Sequence, residues 1–261
     1  KGGNRLSYQQ GLFPVLSKGN LAKNIFDAVI YCPAIAQEAR PGQFVHIRIP
    51  SHILRRPISI AGIDAAAGTI RIIYEIRGEG TKILADIKAG DMMDVLGPLG
   101  HGYTMQEPEK KCVVVGGGIG VPPLLPVARH YGHHTTAVLG FRSAQAAILE
   151  NDFEKAGASV VLCTDDGSMG RKGFVTSALE ELLQSDTPDI ICACGPTIML
   201  KKVVEIAQRY GIPSEISLEE RMACGVGACL GCACKINRDG KEIFLHVCKD
   251  GPVFSGEEVV F

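Results

Sequence analysis

An apolar strand, a glycine turn and a possible helix start follow one another in Cys112-Val113-Val114-Val115-Gly116-Gly117-Gly118-Ile119-Gly120-Val121-Pro122-Pro123. Backbone N–H groups at such a turn can approach a pyrophosphate, although similar turns occur in parallel sheets that bind nothing. Val121 stands where the G-x-G-x-x-G dinucleotide pattern has its third glycine, and no acid ends the next strand at residues 139–142. This segment therefore predicts a parallel α/β domain with a nucleotide site of a different pattern.

Downstream of this segment, apolar strands alternate with amphipathic helices, which predicts a doubly wound parallel sheet. Two more loops follow predicted strands, Thr164-Asp165-Asp166-Gly167-Ser168 and Cys194-Gly195-Pro196. Each alone resembles an ordinary strand-to-helix turn, but ligands of open α/β sheets bind at the edge where these loops lie. We therefore expect the three loops to form one nucleotide site. The predicted strands are 112–115, 136–140, 160–164, 190–194 and 215–218, and the predicted helices are 122–131, 144–155, 175–184 and 198–210.

Upstream, short strands separated by turns predict a small antiparallel barrel. Residues 44–49 and 69–76 carry β-branched or aromatic side chains with partial alternation, and turn signals such as Pro41-Gly42 and Gly97-Pro98 flank them. One helix is expected within this region, at about residues 81–87. The sequence therefore predicts a barrel to about Gln106, followed by the α/β domain.

Arg55-Arg56-Pro57-Ile58-Ser59 opens an apolar strand of the predicted barrel. An arginine there can hold a flavin pyrophosphate bidentately, and a solvated basic turn is the alternative interpretation. Tyr74 either stacks on a flavin or belongs to the barrel core. Gly80-Thr81, at the start of the predicted helix, can present free N–H groups to a phosphate. Together these residues suggest a flavin site on the barrel.

Five of the ten cysteines lie near the C-terminus, four of them spaced Cys224-x4-Cys229-x2-Cys232-x15-Cys248. Plant-type two-iron clusters use C-x4-C-x2-C and a distant fourth cysteine. Small residues fill this loop, so backbone N–H groups can approach the sulfurs and stabilise a cluster's negative charge. A structural zinc site is the alternative, although zinc ribbons usually have two separated C-x2-C pairs. We interpret the fifth cysteine, Cys234, as a non-ligand.

The composition is ordinary for a globular protein, with 46% hydrophobic and 21% charged residues and a net charge of -1. This charge gives no reason to expect nucleic acid or an anionic membrane as a partner. The longest apolar run, residues 112–128, is interrupted by glycines and prolines and does not predict a membrane helix. The first residues are polar and show no secretory signal, so we expect a cytoplasmic protein.

Three motifs together resemble the ferredoxin–NADP reductase superfamily: Arg56-Pro57-Ile58-Ser59, Gly116-Gly117-Gly118-Ile119-Gly120, and Cys194-Gly195-Pro196 with Met199. Within it, the cysteine segment from Glu220 and the tail at residues 247–254 are similar to the electron-transfer subunits of bacterial, NAD-dependent, two-protein dihydroorotate dehydrogenases. The resemblance extends from about Val15 to the C-terminus. Its cysteine segment and tail are the most specific part.

This resemblance implies three regions: an FAD-binding β-barrel at residues 1–106, an NAD-binding α/β domain at 107–218, and a small [2Fe–2S] segment at 219–261. NAD is expected as co-substrate, and its preference over NADP follows from the resemblance alone. Cys194 is expected near the nicotinamide. The candidate residues are Arg56, Pro57, Ile58, Ser59, Ile73, Tyr74, Glu75, Gly80 and Thr81 for FAD; Gly116, Gly117, Gly118, Gly120, Asp165, Gly195 and Pro196 for NAD; and Cys224, Cys229, Cys232 and Cys248 for the cluster.

The resemblance also implies a partner, the FMN-containing subunit that oxidises dihydroorotate to orotate in pyrimidine synthesis. The expected complex is a heterotetramer with two copies of each subunit, in which electrons pass from FMN through the cluster and FAD to NAD+. The alternative is the small flavin and iron–sulfur subunit of another NAD(P)H-linked complex, a ferredoxin:NADP oxidoreductase, hydrogenase or sulfide dehydrogenase. A zinc-stapled nucleotide-binding regulator without a redox role is a further alternative of a different class.

Overall fold

A computed structural model describes residues 8–261, so the first seven residues of the predicted barrel region lie outside the described part. The predicted antiparallel barrel is confirmed: six strands close in the order β1-β2-β5-β4-β3-β6. β-Branched residues such as Ile30, Ile47, Ile60 and Ile72 are fully buried inside it, as pleated strands favour. The strands are β1 (Gln9–Ala22), β2 (Ile25–Tyr31), β3 (Phe44–Ile47), β4 (Arg56–Asp64), β5 (Thr69–Glu75) and β6 (Met92–Leu99), with helices α1 (Pro33–Glu38) and α2 (Glu79–Ala85) between them.

The predicted parallel α/β domain is also confirmed, and its strands follow the barrel in the chain. Continuous apolar runs such as Val113–Val115 are buried because helices cover both faces of the sheet. The strands are β7 (Cys112–Gly117), β8 (Thr135–Phe141), β9 (Ser159–Thr164), β10 (Arg171–Lys172), β11 (Ile190–Cys194) and β12 (Ser214–Ser217), and the helices are α3 (Leu125–Tyr131), α4 (Glu150–Lys155), α5 (Val175–Leu183) and α6 (Thr197–Tyr210).

The sheet order is β10-β9-β8-β7-β11-β12, with one further C-terminal strand beside β12. All pairs from β10 to β12 are parallel. Because β8 and β11 lie on opposite sides of β7, the winding direction changes there. The loops after β7 and β11 therefore border the crevice where open α/β sheets bind their ligands.

Two helices begin later than predicted. Residues Pro122–Leu124 form a 3-10 turn, and α3 starts only at Leu125, because the prolines of this stretch have no N–H for an α-helical hydrogen bond. Likewise α4 starts at Glu150, after Leu149 adopts a left-handed conformation with φ 67° and is buried with Ile148. Among the helices in residues 8–261, none has the length and apolar character needed to cross a membrane.

The C-terminal segment, residues 219–261, packs on both preceding regions instead of forming a separate core. It contains the hairpin β13 (Ala233–Arg238) and β14 (Lys241–His246). Its buried residues Cys232, Val247 and Cys248 pack against Phe44 and other apolar side chains of the barrel. Its last strand, β15 (Val253–Ser255), pairs antiparallel with β12 and completes a seven-stranded sheet. The sequence did not predict this strand.

Arg71 on β5 ties the barrel to the α/β domain. Its Nη2 donates to Oδ2 of Asp27 on β2 and its Nη1 donates to Oδ1 of Asp152 on α4, both at 2.6 Å. All three side chains are largely buried, with exposures of 19%, 19% and 32%. Burial lowers the pKa of Arg71, but the two carboxylates outweigh it and raise the pKa overall. The pair of carboxylates therefore depends on this one guanidinium.

We predict that Arg71→Leu lowers the free energy of unfolding by roughly 1.5–3 kcal/mol, because it leaves two partly buried carboxylates without their charged donor. The control is Arg209→Leu, which removes a similar but more exposed pair with Glu180 and should cost about 0.5 kcal/mol or less. Denaturant unfolding of the cofactor-loaded protein measures both. Equal effects of the two substitutions would contradict the proposed tie.

Candidate flavin, nucleotide and cluster site

A cleft of about 230 Å³ lies where the barrel, the α/β domain and the C-terminal segment meet. Most of the predicted FAD contacts line it, and so does the predicted nicotinamide neighbour Cys194. The lining comprises Phe44, Pro57, Ile58, Ser59, Ile73, Tyr74, Glu75, Arg77 and Thr81 from the barrel; Ile119, Cys194, Ser217 and Leu218 from the α/β domain; and Glu219, Glu220, Met222 and Pro252 from the C-terminal segment.

Arg56 and the first turn of α2 lie against each other beside this cleft. A Cβ on Gly80 would come within 2.6 Å of Nε of Arg56, so the guanidinium rests on the backbone there. The Arg56 Nη1 donates to the Leu54 carbonyl at 2.7 Å, and Thr81 Oγ1 accepts from the N–H of Arg77 at 2.9 Å. A planar cation next to free backbone donors suits a pyrophosphate. The structure thus places Arg56 next to Gly80 and Thr81, a proximity that the spacing in the sequence does not reveal.

The ring of Tyr74 lies in the barrel core. It is 2% exposed, packs against Phe26 with 5.8 Å between ring centres, and its hydroxyl donates to the carbonyl of Leu84 at 2.9 Å. Burial raises the pKa of Tyr74. Of the two interpretations of Tyr74, these contacts support the core aromatic. Tyr74 also lines the cleft, and its FAD contact stays a prediction.

The glycine turn after β7 contacts the loop after β11. A Cβ on Gly120 would come within 2.5 Å of the Cys194 carbonyl oxygen, and one on Gly117 within 3.0 Å of Pro196 Cδ. Gly118 and Gly195 have positive φ values of 56° and 155°, which residues other than glycine rarely adopt. The loops that carry the predicted NAD residues Gly116, Gly117, Gly118, Gly120, Gly195 and Pro196 therefore lie against each other at the switch point.

Asp165 stands apart from these loops. It follows β9, is exposed, and its N–H donates to the Phe141 carbonyl at 3.0 Å. Since β8 separates β9 from β7, Asp165 borders the same sheet edge at a distance of two strands from the glycine turn. Its contact with NAD stays a prediction.

Cys194 is 3% exposed and forms part of the cleft wall. Burial raises the pKa of its thiol to about 12, and the nearby Glu219 carboxylate acts in the same direction. Burial thus favours the neutral thiol over the thiolate. What it offers a ligand is a small, neutral contact surface.

Backbone N–H groups of the cysteine loop point at the sulfurs, as the small residues of the loop predict. Val226 and Ala228 donate to Cys224 Sγ at 3.5 and 3.3 Å, and Gly227 donates to Cys248 Sγ at 3.2 Å. Burial raises the pKa of Cys224, but the N–H groups of Val226 and Ala228 together with Cys229 outweigh it and bring the pKa down to about 6. The loop thus stabilises negative charge on sulfur before any metal is considered.

The four predicted ligands form two pairs. The Sγ atoms of Cys224 and Cys229 are 3.4 Å apart. Cys232 and Cys248 are each 1% exposed, and burial together with their mutual hydrogen bond raises the pKa of Cys248 to about 12. Two pairs suit a two-iron cluster held by four thiolates. No group of three or more His, Cys, Asp or Glu side chains in residues 8–261 is arranged around one point that would suit a single metal ion.

Cys234 lies outside the loop, on β13 opposite Leu245. Burial, followed by the charge of Glu220, raises the pKa of its thiol to about 11. This placement agrees with its interpretation as a non-ligand.

Sequence reasoning missed Phe44 and His46, whose side chains leave the barrel toward the C-terminal segment. Phe44 lines the cleft and also packs with Cys232 and Cys248. Both residues lie in an apolar strand, and only the register of β3 against β4, with Phe44 opposite Ser59 and His46 opposite Pro57, reveals their position.

Comparisons with known proteins point to one family. A family model described as the iron–sulfur cluster binding domain of dihydroorotate dehydrogenase B matches residues 219–260. The electron transfer subunit of dihydroorotate dehydrogenase B (NAD(+)) from Streptococcus mutans is 43% identical over 253 residues, which cover 94% of this chain and 96% of that protein. The corresponding subunit from Fusobacterium nucleatum is 43% identical over 249 residues, covering 92% and 94%.

Solved structures show the same fold. The structure of an NADH-dependent reduced ferredoxin–NADP oxidoreductase superposes with a TM-score of 0.85 at 35% identity, over 96% of this chain and 90% of that one. A ferredoxin reductase of carbazole 1,9a-dioxygenase superposes with a TM-score of 0.67 at 19% identity, over 78% of this chain and 67% of that one. The latter likeness concerns the fold alone.

We predict that Cys234→Ser keeps about two irons and two acid-labile sulfides per chain, the content of a two-iron cluster, because its thiol lies outside the loop. The matched substitution Cys232→Ser, in the loop, should lose most of both. Iron and sulfide analysis of anaerobically purified protein measures the two variants. Loss of the cluster in Cys234→Ser, with Cys232→Ser unaffected, would reverse the ligand assignment.

Proposed function

The chain belongs to the family of dihydroorotate dehydrogenase B electron transfer subunits, and on this premise we propose that it carries electrons from a dihydroorotate-oxidising partner subunit to NAD+. It is an oxidoreductase component that uses FAD and a [2Fe–2S] cluster, with NAD as co-substrate. When bound, the flavin exchanges electron pairs with the nicotinamide and single electrons with the cluster. The cleft shared by all three regions is the observation that carries the proposal.

The barrel residues hold and orient the flavin in this proposal. Arg56, resting on Gly80, holds the pyrophosphate with the free N–H groups of α2. Pro57–Ser59 and the backbone at residues 73–75 line the ring, and both stretches border the cleft. The Tyr74 side chain contributes by fixing β5 in the core.

The α/β domain presents the nicotinamide nucleotide to the same cleft. Gly116, Gly117, Gly118 and Gly120, together with Gly195 and Pro196, let the nucleotide approach the backbone at the switch point. Cys194 and Ile119 lie where this surface enters the cleft. We propose that Cys194 lies next to the nicotinamide ring and that Asp165 contacts the part of the nucleotide farthest from the nicotinamide.

The C-terminal segment brings the cluster close to the flavin. Cys224, Cys229, Cys232 and Cys248 are the proposed ligands. Phe44 borders the flavin cleft on one side and packs with Cys232 and Cys248 on the other, so one side chain spans the two cofactor sites. Close spacing and exclusion of water by this apolar contact are what electron transfer between fixed carriers requires.

The subunit name of the relatives implies a separate catalytic subunit. We propose that this partner carries FMN and that the complex contains two copies of each subunit, with the domain limits at residues 106 and 218 retained as predicted. A cytoplasmic location also belongs to the proposal. It is supported by the ten cysteines, none of which forms a disulfide within residues 8–261.

Reconstitution tests the function. The loaded protein mixed with a dihydroorotate-oxidising, FMN-containing subunit should reduce NAD+ when dihydroorotate is added, and neither subunit alone should do so. Ferredoxin with NADP+ is the control pair, because one similar solved structure is a ferredoxin–NADP oxidoreductase. Turnover with ferredoxin and NADP+ but not with dihydroorotate would replace the proposed partner and keep the cofactors.

We predict that Arg56→Leu weakens FAD binding by roughly 10- to 100-fold, since a hydrogen bond to a charged group contributes roughly 1.5–3 kcal/mol. Arg48→Leu, which changes an exposed arginine just after β3, is the matched control and should retain FAD. Equilibrium dialysis against FAD, read by flavin fluorescence, measures both. An unchanged dissociation constant in Arg56→Leu would return Arg56 to the solvated-turn interpretation.

A further inference from the structure

His46 is a fully buried histidine without a hydrogen-bond partner. Its exposure is 0%, and within residues 8–261 neither Nδ1 nor Nε2 has a partner. Buried polar groups are nearly always paired, because an unpaired donor loses its hydration without compensation. In either protonation state the ring carries at least one N–H. A partner for that N–H is therefore missing from the protein itself.

The ring of His46 lies against the cluster loop. A Cβ on Gly225 would come within 2.4 Å of His46 Nδ1 and 3.1 Å of Cε1, and Gly225 has a left-handed φ of 73°. Gly225 directly follows the proposed ligand Cys224. Only a glycine leaves room for the ring at this point, so the loop approaches the barrel as closely as its backbone permits.

Two backbone carbonyls, those of Arg55 and Cys224, lie near the His46 ring, but neither meets the geometry of a hydrogen bond. In its neutral form the ring has one donor and one acceptor nitrogen, so it can donate to an electron-rich sulfur without adding a charge.

We propose that His46 donates its ring N–H to an inorganic sulfide of the [2Fe–2S] cluster, and thereby raises the reduction potential of the cluster. The proposal rests on the cluster ligation proposed above. A hydrogen bond to sulfur stabilises the more negative, reduced cluster, which is the physical reason for the upward shift. His46 acts as a positioning and tuning residue and does not take part in a bond-breaking step.

His46 also connects the cluster loop with the flavin motif. Its backbone is opposite Pro57 in the β3–β4 ladder, and its carbonyl accepts from Arg55 Nη1 at 3.1 Å. Two other histidines near the C-terminal segment differ in having protein partners. His101 Nδ1 lies 2.7 Å from the Lys249 carbonyl oxygen, and His246 Nδ1 lies 3.5 Å from Asp250 Oδ2.

The first experiment uses the unaltered, loaded protein. Reduced protein labelled with 15N-histidine is studied by pulsed EPR, which detects nuclei hydrogen-bonded to the cluster. We expect a histidine-nitrogen coupling that persists in His101→Gln and His246→Gln. No histidine coupling, or a coupling that disappears in either control, would overturn the proposal.

The second experiment measures the cluster's midpoint potential by redox titration followed by EPR. We expect His46→Leu to shift the potential downward and to lose the coupling, whereas His46→Gln, which keeps an N–H donor, should restore part of the shift. An unchanged potential in His46→Leu with full iron and sulfide content would contradict the proposal. If His46→Leu binds no cluster, the histidine-nitrogen coupling in the unaltered protein decides whether the proposal stands.

Iron and sulfide analysis distinguishes a failure of the proposed cluster ligation from a failure of the proposed His46 hydrogen bond. Unaltered protein without a two-iron cluster would refute the ligation by four cysteines. A normal cluster without a histidine coupling would refute the role of His46 alone.

Discussion

The contact between β3 and the C-terminal segment is the constraint on which the rest of the site depends. Phe44, Leu96 and Leu99 of the barrel pack with Cys232, Val247 and Cys248, and all six are buried. A segment of this size has too little apolar surface for a core of its own, so its apolar side chains pack on those of the barrel. The same packing puts the cysteine loop next to the strand pair that carries the flavin motif. The same packing therefore stabilises the segment and places the proposed flavin and cluster sites next to each other.

Glycines make the other contacts of the site possible, each where a Cβ would meet a neighbour. The missing Cβ leaves room for the Arg56 guanidinium at Gly80, for the Cys194 carbonyl at Gly120, and for the His46 ring at Gly225. In all three places one backbone lies directly against a group from another element. The site is therefore built by close approach of main chain, which also exposes N–H groups to anionic ligands.

Local patterns in the sequence were sufficient for the barrel, the parallel sheet, the glycine turn and the cysteine loop, because each depends on neighbouring residues. They were insufficient wherever register or long-range packing decides. Nothing in the sequence around Phe44 or His46 distinguishes them from core residues, and Tyr74 suited a stacking or a core role equally well. Leu149 interrupts a predicted helix with a left-handed φ of 67°, a conformation that amphipathic spacing does not encode.

The antiparallel strand β15 has a consequence beyond the site. By pairing with β12 it covers what would otherwise be the open side of the large sheet. Exposed strand edges can pair with other chains, and the tail that follows Cys248 covers this edge of β12. A shortened chain lacking β15 would present the backbone groups of β12 to solvent and to its own copies. The C-terminal segment therefore cannot be removed without exposing the edge of β12 in the nucleotide domain, where another chain could pair with it.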